Sequence, residues 1–289
     1  MGFSFFKKKN NKDKKNTGDI LQNQFNRDVY PTALEKTAAV KASSKKKLCV
    51  FGGTFDPMHR AHLDMAFKAC RIFSIDKILF MPSGDSYFKT GVSSAEDRLE
   101  ICRLSVKEYS EQSEIKESLA ACEWDVSDLE IKREGKTYTY ETIESLRIQF
   151  PEYDIYFLVG EDTLRSMETW KEPQIVFAGC IVIAAARPSR QGQLFDKNGH
   201  EIHGNTAYTG SVQDEFNSSG RSFRNADFER IEDLQARLMK QYPAEIHIMR
   251  FDVDMSSSAI KEDIRAGKDV SDRLMPTAYS FIVDKMLYR

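Results

Sequence analysis

No apolar stretch in this chain is long enough to cross a bilayer as a helix, which takes about 20 residues. The longest, Ile175 to Ala186, is broken by Gly179. Glycine and proline are sparse, at fifteen and eight in 289 residues, which excludes collagen-like and low-complexity classes. Cysteine is also scarce, with five residues at 49, 70, 102, 122 and 180. Their number is odd, and their spacing contains neither C-x-x-C nor a zinc-ligand pattern. Reduced core thiols of a cytoplasmic protein are therefore expected. A secretory signal is not expected, because Lys7, Lys8 and Lys9 follow the short apolar start instead of preceding it. Phe6 stands where N-myristoylation wants Ser or Thr. The fingerprint G-x-G-x-x-G is missing too, which disfavours a dinucleotide-dependent dehydrogenase.

What is present is a globular composition, 41% hydrophobic and 30% charged. Its length suits one large α/β domain or two small ones. The formal net charge of −2 hides an asymmetry. Residues 1–47 hold eleven lysines and Arg27 against Asp13, Asp19, Asp28 and Glu35, a net +8, and the remainder carries −10. The head lacks apolar periodicity, so it reads as a basic, flexible extension. It is either a solvated tail or a contact for nucleic acid or an anionic surface, since lysine-rich stretches attract polyanions without needing structure.

The globular part is expected from Leu48 onward, as a single domain over 48–289. Leu48–Phe51, Lys77–Met81, Ile155–Val159 and Ile181–Ala184 are short apolar runs that read as buried strands. Helical patterns over 60–73, 94–109 and 138–150 alternate with them, and 124–132 reads as a further strand. Such alternation predicts βαβ units and an α/β fold with a doubly wound parallel sheet. Residues 188–226 are rich in Gly, Asn, Ser, Asp and Gln and form a polar insertion. His200 and His203 lie within it and read as exposed loop histidines. A helix near 226–241, a strand near 245–250 and two helices after Ser257 complete a helical C-terminal part.

The chemically informative segment is Val50-Phe-Gly-Gly-Thr-Phe-Asp-Pro-Met-His-Arg-Ala-His-Leu63. A strand ends at Gly52-Gly53, the chain turns, and a helix starts with His59 and His62 on one face. Glycines allow close backbone approach to a ligand, and a helix start attracts an anion. Two imidazoles there can donate hydrogen bonds to a transferring phosphoryl group. A metal pair and a purely structural pair are the other readings. The first lacks the glutamate of H-E-x-x-H and an evident third ligand, and the second is unusual after a Gly-Gly loop.

This segment resembles the G-G-T-F-D-P-x-H-x-G-H signature of nucleotidyltransferases with an H-x-G-H motif, with Ala61 in place of the inner glycine. More narrowly it looks like a nicotinate (or nicotinamide) mononucleotide adenylyltransferase. Three later segments are similar to that family in order: Lys136-Thr-Tyr-Thr-Tyr-Glu-Thr142, then Gly160-Glu-Asp-Thr-Leu followed by Trp170, then Met255-Ser-Ser-Ser-Ala-Ile-Lys261. The resemblance implies a Rossmann-like nucleotidyltransferase fold and transfer of AMP from ATP to the mononucleotide. It assigns His59, His62, Lys89 and Lys261 to catalysis. Gly52, Gly53, Thr54, Phe55, Asp162, Ser256, Ser257 and Ser258 would hold ATP, with Asp162 on the ribose. Thr137, Tyr138, Thr139 and Trp170 would hold the pyridine mononucleotide. Mg²⁺ is implied on the ATP phosphates, with no dedicated protein metal site.

Each residue also has a plainer reading. Trp170 fits a core, and Asp162 and Ser256 or Ser257 fit helix caps. Lys261 stands where the family has Arg, which keeps the charge and loses the fork. Pro82-Ser-Gly-Asp-Ser-Tyr-Phe-Lys89 mixes features of nicotinate and nicotinamide enzymes, so the preferred mononucleotide stays open at this level. Phosphopantetheine-type transfer and a non-catalytic nucleotide-binding regulator are the alternatives, and a homo-oligomer is compatible with either.

Overall fold

The computed structural model describes residues 45–84, 91–119, 121–187, 194–195, 201–202, 229–252 and 255–289. Six strands form one parallel sheet: β1 (Lys46–Gly53), β2 (Lys77–Pro82), β3 (Glu123–Val126), β4 (Tyr153–Gly160), β5 (Ile181–Ala186) and β8 (Glu245–Arg250). Two short strands, β6 (Leu194–Phe195) and β7 (Glu201–Ile202), pair antiparallel apart from it. The order across the large sheet is β3-β2-β1-β4-β5-β8. From β1 the chain winds to β2 and β3, then returns to place β4 on the other side of β1. This reversal leaves a crevice beyond the carboxyl ends of β1 and β4, the usual ligand position in doubly wound sheets.

The core follows from strand alternation. Leu48 and Val50 of β1 face one layer, and Cys49 and Phe51 face the other. On the second face lie α1 (Arg60–Phe73), α2 (Ala95–Ser110), α9 (Ser257–Arg265) and α10 (Pro276–Asp284). On the first lie α5 (Thr139–Gln149), α6 (Glu161–Ser166), α7 (Pro173–Gly179) and α8 (Ile231–Gln241). Both faces are covered, which is why the central strands read as continuous apolar runs. No helix among the described residues is long and apolar enough to cross a membrane.

Two boundaries differ from expectation. β1 begins at Lys46, not Leu48, so the basic head gives its last two lysines to the sheet. Lys47 Nζ donates to the Phe73 carbonyl at 2.8 Å and lies 5.8 Å from the Tyr156 ring centroid. A lysine can thus stand at the start of a strand when its ammonium finds a carbonyl and a ring face. Residues 124–132 are not one strand: β3 stops at Val126, and α4 (Leu129–Lys132) makes a single turn. Ser127 Oγ accepts from Leu129 N–H at 3.2 Å and breaks the extended backbone there. Residues 1–44 and most of the 188–226 insertion, including His200 and His203, lie outside the described residues. Between α2 and β3 sits the short α3 (Ser113–Ser118).

Candidate active site

The loop from Gly52 to His59 leaves β1 at the crevice and enters α1. Phe55 takes a left-handed backbone, φ 48°, and its side chain turns inward to 3% exposure. Its ring meets His62 edge-on at 5.1 Å and Phe51 at 5.4 Å. A methyl at Gly53 would stand 3.1 Å from the same ring. Phe55 is folded back against Gly53, where a side chain would crowd its ring. The ring of Phe55, a residue expected at ATP, packs against His62.

His59 and His62 stack with ring centroids 3.7 Å apart. The His59 backbone N–H donates to His62 Nδ1 at 3.2 Å. That bond makes Nδ1 an acceptor, so neutral His62 carries its proton on Nε2, a donor position. Burial lowers the His59 pKa to about 4. Burial, together with His59, holds His62 well below the usual histidine range. Both rings are neutral at pH 7 and are available as hydrogen-bond donors, not as cations. His59 Nδ1 is buried with no partner among the described residues, a polar atom that an incoming ligand could satisfy. The helix start is less open than expected, because Arg60 N–H already donates to the Arg273 carbonyl at 3.0 Å.

Burial of neutral His59 ties stability to pH. Its folded pKa lies below the unfolded value near 6.5, so the unfolded chain binds more protons between pH 4 and 6.5. Lowering the pH from 7.5 to 5 is expected to cost about 2 kcal/mol through His59. Urea midpoints at both pH values, for wild type and His59→Asn, would measure this. The variant should lose that share of the pH dependence, and an unchanged difference would exclude His59 as its source.

Asp56 and Lys261 were not expected to meet. Lys261 Nζ donates to Asp56 Oδ2 at 2.6 Å, with Asp56 4% exposed. Asp56 Oδ1 accepts from the Ser93 N–H at 3.3 Å. Burial alone would raise the Asp56 pKa, but hydrogen bonding and charge from Lys261 hold it below the usual carboxylate range. Lys261 is thus tied to the loop between β1 and α1 through Asp56. Ser257 Oγ donates to the Pro57 carbonyl at 2.9 Å, and Ser256 Oγ caps α9 through Ala259 N–H at 3.2 Å. Ser258 is exposed, and Lys89 lies outside the described residues.

The other half of the crevice starts at β4. Asp162 is exposed in the first turn of α6. Its Oδ1 lies 2.8 Å from where a Cβ at Gly160 would be, so only glycine lets this carboxylate fold over the strand end. Trp170 meets the Phe157 ring edge-on at 6.3 Å. Phe157 also borders Gly52, 3.5 Å from the Cβ position there, and so joins the Trp170 side to the phosphate loop. Tyr138 precedes α5, and its ring stacks on Tyr140. Thr137 Oγ1 donates to the Glu130 carbonyl at 3.5 Å, and Thr139 opens α5. Lys171 Nζ lies 4.2 Å from the Tyr138 ring centroid, a cation next to Trp170 that the sequence did not single out.

Arg98 was also missed. It is fully buried in α2 and donates to the carbonyls of Thr54, Gly84 and Ser93. The available signal was its phase: Ala95, Leu99, Cys102 and Val106 form the apolar stripe of α2, and Arg98 falls on it.

Comparison with known proteins gives the family. The cytidylyltransferase-like family model matches residues 50–263. A probable nicotinate-nucleotide adenylyltransferase of Clostridium tetani is 30% identical over 246 residues, covering 84% of this chain and 100% of that one. One from Neisseria meningitidis serogroup B is 31% identical over 244 residues, covering 84% and 98%. In fold, the chain is similar to the Plasmodium falciparum nicotinic acid mononucleotide adenylyltransferase complexed with NaAD. That match has a TM-score of 0.58 at 18% identity and covers 84% of this chain and 97% of that one. By its family match and its near-complete coverage of these relatives, the chain belongs to the cytidylyltransferase-like family and, within it, to the nicotinate-nucleotide adenylyltransferases.

Proposed function

We propose that the protein transfers AMP from ATP to nicotinate mononucleotide, giving nicotinate adenine dinucleotide and pyrophosphate, a step of NAD biosynthesis. The observation that carries this reading is the stacked pair of neutral histidines at the start of α1, beside the crevice where the strand order reverses. A phosphate oxygen of the mononucleotide attacks the α-phosphorus of ATP. The new P–O bond forms as the α–β anhydride bond breaks, and pyrophosphate leaves with the electron pair. The nucleophile is already anionic at neutral pH, so catalysis rests on positioning and charge stabilisation.

His62, with Nε2–H as donor, and His59 are assigned to the reacting phosphates. Lys261 and Lys89 are assigned to charge on the departing pyrophosphate, while Gly52, Gly53, Thr54 and the α9 start at Ser257–Ser258 line the triphosphate. Asp162 holds ribose. Trp170 stacks on the pyridine ring, and the Thr137–Thr139 backbone grips its carboxylate. The ammonium of Lys171 beside Tyr138 favours a carboxylate over an amide. Mg²⁺ would arrive on the ATP phosphates, where it neutralises charge and keeps much of its water shell. That mode of binding suits a site whose buried carboxylate, Asp56, is committed to Lys261. A cytoplasmic location belongs to the same reading, supported by five free cysteines, four of them buried.

The test is pyrophosphate release from Mg-ATP, with nicotinate and nicotinamide mononucleotides run in parallel. Release with nicotinate mononucleotide at a kcat/KM about tenfold or more above the amide is expected. No release from folded protein that binds ATP would overturn the reading. In the same assay, Trp170→Ala should raise KM for the mononucleotide about five- to tenfold, the scale of one lost ring stack. KM for ATP should stay within about twofold, and an equal rise in both would remove Trp170 from the pyridine side.

A further inference from the structure

We infer that Arg98 is a positioning residue of the phosphate site, its buried guanidinium clamping the loop after β1 to the two chain segments that flank residues 85–90. Arg98 is 0% exposed, in the second turn of α2, and all three guanidinium nitrogens are used. Nη1 donates to the Thr54 carbonyl at 2.8 Å, Nη2 to the Gly84 carbonyl at 3.2 Å, and Nε to the Ser93 carbonyl at 3.1 Å. These acceptors belong to three separate stretches of chain. Thr54 follows the two glycines of the phosphate loop, Gly84 follows β2, and Ser93 precedes α2.

A second tie crosses the first at one residue. The Ser93 N–H donates to Asp56 Oδ1, and the other oxygen of Asp56 accepts from Lys261. Ser93 is therefore gripped on both sides, by Arg98 through its carbonyl and by Asp56 through its N–H. The Ser83 N–H adds a bond to the Gly53 carbonyl at 2.9 Å, drawing the segment after β2 against the same loop. Thr54 and Asp56 are thus fixed relative to α2 and α9 before any ligand arrives.

Chemistry requires arginine here. A planar fork with donors diverging in one plane can span three carbonyls, whereas a lysine ammonium presents its donors from one point. The guanidinium also stays charged when buried. Among the described residues no carboxylate lies within ion-pair distance of it, and its partners there are three neutral carbonyls. A buried positive charge behind the Thr54 peptide adds favourable potential for a polyphosphate in front of it. Its main effect is geometric, because the in-line reaction is sensitive to the placement of the phosphates.

This inference rests on the adenylyl-transfer reading, so its test separates the two. Full-length wild type, Arg98→Lys and Arg98→Gln are compared for kcat and both KM values, thermal midpoint, and hydrogen exchange at the Ser83 and Ser93 amides. Both variants should fold, because each keeps a polar donor beside the three carbonyls and leaves the apolar side chains of both layers in place. Arg98→Lys should lose about 100-fold in kcat/KM for ATP, the scale of a displaced reacting group. KM for nicotinate mononucleotide should stay within about threefold. Exchange at Ser83 and Ser93 should quicken in both variants, whatever the activity. Arg98→Lys with wild-type kcat/KM would overturn the clamp, as would unfolding of that variant or unchanged exchange. An inactive wild type would overturn the reaction instead, and the exchange data would still decide the clamp.

Discussion

Replacing His62 by alanine should lower kcat by about two to three orders of magnitude, the range for losing one preorganised donor. The geometry makes this ring more than a convenient hydrogen bond. Its Nδ1 is occupied by the His59 N–H, which fixes the tautomer with Nε2 as donor. Phe55 and Phe51 pack edge-on to it and His59 stacks on it, so the ring has little freedom to turn. A donor held this way pays no reorganisation when negative charge builds on the transferring phosphoryl group. His62→Asn should recover part of the loss, because its amide can still donate but is not held by the same stack. Because the ring is neutral, the pH profile of kcat above pH 6 should be flat with respect to His62. Steady-state pyrophosphate release would check all three expectations. A His62→Ala enzyme within threefold of wild type would remove the ring from the reacting phosphates.

Much of this site was legible in the sequence because its signals are local. Gly52-Gly53 at the end of an apolar run, followed by two histidines three apart, already marked a strand-to-helix turn that brings the two rings together. The strands of the central sheet were legible for the same reason, since residues buried on both faces leave continuous apolar runs. Where the reading fell short, the cause was a partner distant in sequence or a side chain taking an unusual path. Lys261 meets a carboxylate 205 positions away, which no local pattern encodes. For Phe55 the motif gave a place near ATP but not the path of its ring. Its positive φ sends the ring inward, and that turn is not visible in residue type alone. Arg98 was not singled out, although its phase on α2 set it among Leu99 and Cys102. Lys46 and Lys47 were assigned to the head by charge, whereas their stems are strand residues.

Breaking the Asp56–Lys261 pair should produce the largest change in stability. Removing one member of a buried ion pair strands the other, at a typical cost of about 3–5 kcal/mol. Lys261 keeps partial access to solvent, with its side chain 16% exposed, so Asp56→Ala should fall near about 3 kcal/mol. Part of that loss belongs to Ser93, whose N–H would lose its acceptor in a half-buried setting. The double variant Asp56→Ala/Lys261→Met separates the contributions. With no stranded ammonium it should regain most of the stability, leaving a deficit of about 1–1.5 kcal/mol from the orphaned Ser93 N–H. Activity should not follow stability back, because the double variant lacks both the cation and the carboxylate that aligns the loop. Urea unfolding of both variants beside the wild type, with kcat measured far below each midpoint, tests this division. Equal instability in single and double variants would assign the loss to the Ser93 tie. Recovery of kcat in the double variant would show that Lys261 has no part in the reaction and that the pair serves the fold alone.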